Sequence, residues 1–196
     1  MKRLVFLLFF SITNIISAQE KDLDQDGVPD SVYFDTQKLK IICKLSSLDF
    51  KPIYSKEIET SGDFTGVSYT KNGFEFYIDF MRAGYSAQFK YEPKDKTIRL
   101  IGMSRYEFGP ANNDGSGESS VNLLTDDYIG EWNYYDLDKS RLIKMPTILT
   151  KLTFKKTFLI DFDESVLYDF GSRCSELYFA KKEKLIHSNQ IRSHKK

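Results

Sequence analysis

The run Asp22-Leu23-Asp24-Gln25-Asp26-Gly27-Val28-Pro29-Asp30 places carboxylates at positions 1, 3, 5 and 9 of one short segment. Alternate side chains of a tight loop can point at a common centre. Hard oxygens gathered in that way are the ligands a cation such as Ca²⁺ takes. Asp22, Asp24 and Asp26 supply three of them, the carbonyl of Val28 a neutral fourth, and Asp30 completes the set directly or through water. Gly27 stands where the loop must turn sharply, in a conformation that a Cβ resists. Carboxylates crowded this closely repel one another unless a cation sits among them. Calcium is therefore the cofactor this segment implies. Magnesium suits it less, because that ion keeps its waters and demands a stricter octahedron.

The segment lies just behind an export signal. Met1-Lys2-Arg3 is a short positive region, Leu4 to Ile16 is mostly apolar, and Ser17-Ala18 puts small residues before Gln19. That pattern is a cleaved signal peptide over residues 1–18. The apolar stretch is broken by Ser11, Thr13 and Asn14 and is short for a membrane span. No Cys adjoins the cut to carry a lipid, and no later segment is apolar enough to cross a bilayer. The expectation is an exported protein, periplasmic or extracellular, without a transmembrane anchor once the signal is removed. Calcium is plentiful outside the cytoplasm, so the loop and the signal agree.

Composition narrows the rest. The 196 residues carry 28 basic and 28 acidic side chains, a balance that gives no electrostatic case for nucleic-acid binding. Residues 19–180 are long enough for one domain with a sizeable core, followed by a basic tail, 181–196, expected to fray. The two cysteines, Cys43 and Cys174, suit either a disulfide, as an exported chain favours, or two separate buried thiols.

Strand signals dominate. The 16 Phe and 12 Tyr cluster with Val, Ile and Thr in short runs broken by Gly, Asn, Asp and Pro. Phe74, Phe76, Ile78 and Phe80 share one face against Glu75, Tyr77 and Asp79, the period of a half-buried strand. Further runs cover 31–35, 39–45, 51–59, 66–70, 86–92, 97–108, 121–125, 128–135 and 148–154. Phe158, Ile160 and Phe162 alternate in the same way, and Asn72-Gly73 marks a tight turn. Only the stretch from Cys174 to Ile186 has a helical mix of Glu, Leu, Ala and Lys. The fold class expected is all-β: an antiparallel sandwich or barrel with a short C-terminal helix.

The pattern D-x-D-x-D-G-x-x-D resembles two kinds of calcium loop. The EF-hand requires Glu at position 12 and a helix on each side, whereas this chain has Tyr33 there and a strand following. The loop is more similar to the integrin-type FG-GAP or VCBS-like loop, in which an Asp-rich turn leads into a strand. That resemblance implies Asp22, Asp24, Asp26 and Asp30 as ligands, with Val28 through its carbonyl. A single copy implies no propeller. One such loop on a small exported β-domain also looks like the calcium-binding periplasmic immunity proteins related to lysozyme inhibitors. That likeness implies an envelope or foreign partner such as a wall hydrolase, blocked at its cleft. Those inhibitors present a Ser-Gly loop with an aromatic near it; here Ser116-Gly117-Glu118-Ser119-Ser120 has the first feature without a closing Tyr.

The longest polar, glycine-rich loop spans 110–120, and long loops on rigid sheets carry binding more often than tight turns. Asn113, Asp114, Ser116, Gly117 and Glu118 are its candidate binding residues. Catalysis finds little support. The only histidines, His187 and His194, lie in the basic tail, which argues against a nucleophile-histidine pair or a histidine-held zinc. The acidic pairs Asp126-Asp127, Asp136/Asp138 and Asp161/Asp163 read more simply as surface turns than as glycosidase carboxyls. The expectation is a binding or inhibitory protein of the cell envelope. The alternatives are a secreted glycan-binding or glycan-active protein, with Trp132 and Tyr135 on its face, and a structural envelope component.

Overall fold

The alternation of apolar and polar residues builds most of this chain into antiparallel strands. The computed structural model describes residues 21–59 and 64–193, so the expected signal peptide, 1–18, lies outside the described residues. Strands β1 (Ser31–Asp35), β2 (Lys40–Lys44) and β3 (Pro52–Tyr54) form a small sheet in chain order. β4 (Phe64–Thr70), β5 (Gly73–Asp79), β6 (Ala83–Glu92), β7 (Thr97–Glu107), β8 (Gly117–Asn122), β9 (Asp127–Asp136) and β10 (Arg141–Lys144) form a meander. β11 (Ile148–Lys151) pairs with the first half of β9 while β10 pairs with its second half. Neither sheet closes on itself, so the architecture is an open all-β sandwich with one C-terminal helix.

The alternation sorts the large sheet into two faces. Phe74, Phe76 and Ile78 on β5, Ala87 and Phe89 on β6, and Met103 on β7 face inward and are buried. Against them pack Ile41 and Cys43 of β2 with Leu45 just after it, and Leu159 of a one-turn helix, Leu159–Asp161, with Phe162 at its end. Phe162 meets Phe89 edge to face at 5.0 Å, and Phe74 stacks on Phe89 at 5.1 Å. Each fully buried side chain of this size stabilises by about 1.5–3 kcal/mol relative to exposure.

The remainder of the inner face is covered by helix α1 (Glu164–Ser193). Asp163 caps it, its carboxylate accepting the N–H of Ser165 at 3.1 Å. Leu167, Phe170, Gly171, Cys174 and Tyr178 are buried at the i, i+3, i+4 spacing of one helical stripe. The helix therefore begins ten residues before the expected run from Cys174 to Ile186 and continues through most of the stretch expected to fray, 181–196. Its early turns contain Val166, Tyr168 and Phe170, whose strand-like types conceal the helical period.

Three local expectations are corrected. The two-residue turn between β4 and β5 is Lys71-Asn72, because Thr70 already pairs with Gly73. Residues 117–120, expected as loop, are the first four of the six residues of β8. Phe158 to Phe162 is a helical turn rather than a strand, with Ile160 turned outward, 62 % exposed, between buried Leu159 and Phe162.

The cysteines do not pair. Cys43 is buried on β2 and Cys174 is buried on α1, where the Ser119 hydroxyl donates to its sulfur at 3.4 Å. Of the two arrangements the sequence allowed, the chain adopts separate buried thiols.

Candidate metal centre

The acidic segment is a closed loop. Its neck is a bridge between Lys21 and Asp30, with the Asp30 N–H donating to the Lys21 carbonyl at 2.9 Å. Asp30 then leads directly into β1, and its side chain folds back beneath the loop, only 2 % exposed. Gly27 sits at φ +90° and Gln25 at φ +67°, so the loop turns twice through the left-handed region. The glycine is where the spacing expects it. The second turn, at Gln25, is not signalled by residue type.

Each carboxylate is held by loop N–H groups. Asp22 accepts from Gln25 at 2.6 Å and Asp26 at 3.2 Å on one oxygen, and from Gly27 at 2.9 Å on the other. Asp30 accepts from Leu23 at 2.6 Å and Asp24 at 3.3 Å. One oxygen each from Asp22, Asp24 and Asp30 comes within 4.8 Å of the others. Charges this close repel by about 1 kcal/mol per pair in water and by several times that where solvent is partly excluded. Asp26 stands outside this trio. Its carboxylate accepts from the Val28 N–H at 2.8 Å and from the Ser46 hydroxyl at 2.8 Å. Val28 carries its side chain outward, 45 % exposed, as a residue contributing only its carbonyl would.

Two residues unmarked by the sequence motif complete the surroundings. Ser46 and Ser47 form the one-turn helix Ser46–Leu48 after β2. Ser46 bonds both Asp26 and Asp30, and the Ser47 hydroxyl donates to Asp24 at 2.5 Å. On the other side, the Tyr69 hydroxyl of β4 donates to the Asp30 carbonyl at 3.4 Å, and Lys21 reaches the carbonyls of Thr70 and Lys71. The loop thus lies at the seam between the two sheets. Its negative charge is felt inside: burial, then Asp30 and Asp24, push the Cys43 thiol up to about 12.

Hard, oriented, anionic oxygens suit a hard divalent cation in ligand type. Asp22, Asp24 and Asp30 are the residues that would hold the ion.

The loop 110–120 is placed differently from a free binding loop. Asp114 accepts from the Tyr135 N–H at 2.7 Å, the Tyr178 hydroxyl at 3.1 Å and Lys182 at 2.6 Å, fastening the loop to β9 and α1. The Ser116 carbonyl and hydroxyl accept from the Asn133 amide at 3.2 and 3.1 Å. Gly117 packs against the β9 backbone, where a Cβ would lie 2.1 Å from the Glu131 carbonyl oxygen. Asn113 is exposed at φ +56°. Glu118, like Asn113, stands outside this staple and points outward from β8.

One member of each remaining acidic pair is tied to a lysine. Asp127 meets Lys151 at 2.7 Å, Asp136 meets Lys139 at 2.6 Å, and Asp163 meets Lys56 at 3.2 Å. Trp132 is buried beneath α1, with its indole N–H on the Tyr128 hydroxyl at 3.3 Å and the Arg105 guanidinium 5.2 Å from its ring. A glycan face built on Trp132 therefore loses its anchor. His187 is exposed on α1, and His194 lies outside the described residues. Among the described residues no helix is long and apolar enough to cross a membrane.

No family model matches the chain, and neither a curated protein nor a solved structure matches it.

Proposed function

We propose that this chain is an exported, non-enzymatic binding protein whose N-terminal loop holds one calcium ion through Asp22, Asp24 and Asp30. The observation that carries the cation reading is the convergence of these three carboxylates within 4.8 Å, in a loop already braced by its own N–H groups. Bringing three negative groups together costs free energy that a divalent ion returns. The ion's role is structural. The loop joins Ser46 and Ser47, in the helical turn that follows β2, to Tyr69 and Thr70 of the large sheet, so neutralising it clamps the two sheets at their seam.

The domain acts by binding rather than by chemistry. One carboxylate of each acidic pair with glycosidase-like potential is held by a lysine, and both cysteines are buried thiols. The partner is a protein met in the cell envelope or outside it; stoichiometric inhibition of a peptidoglycan hydrolase is the specific form we favour. The signal over residues 1–18 supports the location.

The cation reading is tested by thermal unfolding. Millimolar calcium should raise the melting temperature by several degrees over chelator, and Asp24→Ala should abolish the gain. An identical melting temperature with and without calcium would remove the reading. The inhibitory form is tested by titrating the protein into several classes of lysozyme, where a break at one equivalent is expected and undiminished activity throughout would reject it.

A further inference from the structure

We propose that the outer face of the eight-stranded sheet is the surface that receives the partner, and that the partner is a basic polypeptide presenting arginine. The inference rests on the reading of this chain as a binding protein, and it names the face and the chemistry.

The inner face is covered by α1, by the turn Leu159–Asp161 and by the small sheet. Nothing among the described residues covers the outer face. Strand register lays out its rows. One runs Phe64, Asp79, Gly84, Tyr106, Glu118, Glu131 across six strands. The next runs Gly66, Tyr77, Ser86, Ser104, Ser120, Ile129, ending on Leu149. A third holds Glu75, Gln88, Gly102, Asn122, Asp127 and Lys151. Small side chains down the middle leave a groove of about 380 Å³ beside Ser104, Tyr106, Glu118, Ser120, Ile129 and Glu131.

Two tyrosines lie flat along this face. A Cβ on Gly84 would fall 2.5 Å from the Tyr106 ring, and one on Gly66 would fall 2.7 Å from the Tyr77 hydroxyl. Each ring therefore rests on a glycine; Tyr106 also meets the Phe108 ring at 5.5 Å, whereas Tyr77, 36 % exposed, offers solvent a ring surface on which a planar cation stacks. The apolar rim is also open, with Phe64 61 %, Ile129 47 % and Leu149 72 % exposed. Exposed apolar groups set among polar ones mark interaction surfaces.

Charge selects the occupant. Of the carboxylates in these three rows, Asp127 is answered by Lys151 and Glu131 by Lys144. Glu75, Asp79 and Glu118 form no ion pair among the described residues. Glu75 is oriented by the Ser86 hydroxyl at 3.0 Å and Asp79 by the Tyr106 hydroxyl at 2.7 Å, so their free lone pairs are already aimed. The cations Lys90 and Arg99 lie beyond these rows, where they bound the acidic field. Anionic ligands are repelled here. Guanidinium both stacks on tyrosine and meets carboxylates through a planar fork, which an ammonium does not do.

Fluorescence anisotropy of a labelled deca-arginine peptide with the full-length protein, with calcium present and with chelator, tests this. Binding should weaken as salt rises and fall at least about tenfold in Glu75→Gln/Asp79→Asn/Glu118→Gln. Tyr77→Ala should lower arginine binding more than deca-lysine binding. Glu118→Lys, at an outward position with no bonded partner, keeps the melting temperature and should still weaken the peptide. No peptide binding, or equal binding to the triple variant, overturns the proposal. So does selective binding of a neutral oligosaccharide that Tyr77→Ala removes, or self-association through this face that Glu118→Lys abolishes. Calcium heat without peptide binding defeats this inference alone, whereas peptide binding without calcium heat defeats only the cation reading.

Discussion

The Ser46 backbone N–H donates to one oxygen of Asp30 at 2.8 Å, and the Ser46 hydroxyl, which donates to Asp26 at 2.8 Å, lies 3.1 Å from that same oxygen, across sixteen residues of chain. The contact turns a local acidic loop into a joint of the fold. Asp30 is buried, and three backbone N–H groups converge on it. Asp30→Ala leaves those donors without an acceptor. A loss of roughly 3 kcal/mol is expected in urea unfolding, in chelator as well as in calcium. A loss confined to calcium-containing buffer would show that Asp30 matters only as a ligand.

Gly27 gives a cleaner test of backbone conformation. It sits at φ +90°, and nothing lies within 4 Å of a Cβ built there, so Gly27→Ala meets strain without a clash. A cost of about 1–2 kcal/mol is expected from the left-handed backbone alone, again by urea unfolding. An unchanged stability would mean that the loop relaxes freely.

The thiols should be silent until the protein unfolds. Burial raises both, Cys43 to about 12, and neither is bonded to the other. Thiol counting with an aromatic disulfide reagent should give none in the native protein and two in denaturant without reductant. A count of zero in denaturant would reveal a bridge.

Asp114 sets part of the acid limb. Burial pushes its carboxyl up, but Lys182, the Tyr135 N–H and the Tyr178 hydroxyl outweigh this and hold it below its ordinary value of 3.8. A carboxyl with a lower pKa in the folded state contributes stability that is complete above its unfolded value. That contribution is lost as pH falls through the folded value. Asp114→Asn should therefore reduce the drop in stability below about pH 4 without abolishing it, because Asp35, Asp95, Asp127, Asp136 and Asp163 are lowered too. An acid limb identical to that of the parent would argue against the staple.

What could be read from residue order follows from how local each signal is. Phe74, Phe76 and Ile78 announce their face because a strand's period is two, and the structure buries all three. The aspartates of the loop are equally local. Ser46 and Ser47 are not, since nothing in a Ser-Ser pair points to carboxylates some twenty residues earlier. Asp114 and Glu118 sit four residues apart in one polar stretch, yet one is a clamp to α1 and the other an outward side chain; only pairing of β8 with β9 separates them. The first turns of α1 escaped because Val166 and Phe170 belong to strand-favouring types, and burial against the sheet overrides that preference.

The most direct measurement of the central claim is calorimetric titration of calcium into metal-free protein. One site per chain is expected, with heat that vanishes in Asp24→Ala although that variant remains folded in chelator. A flat titration of the parent protein, or an undiminished one in the variant, would contradict the assignment of the ion to Asp22, Asp24 and Asp30.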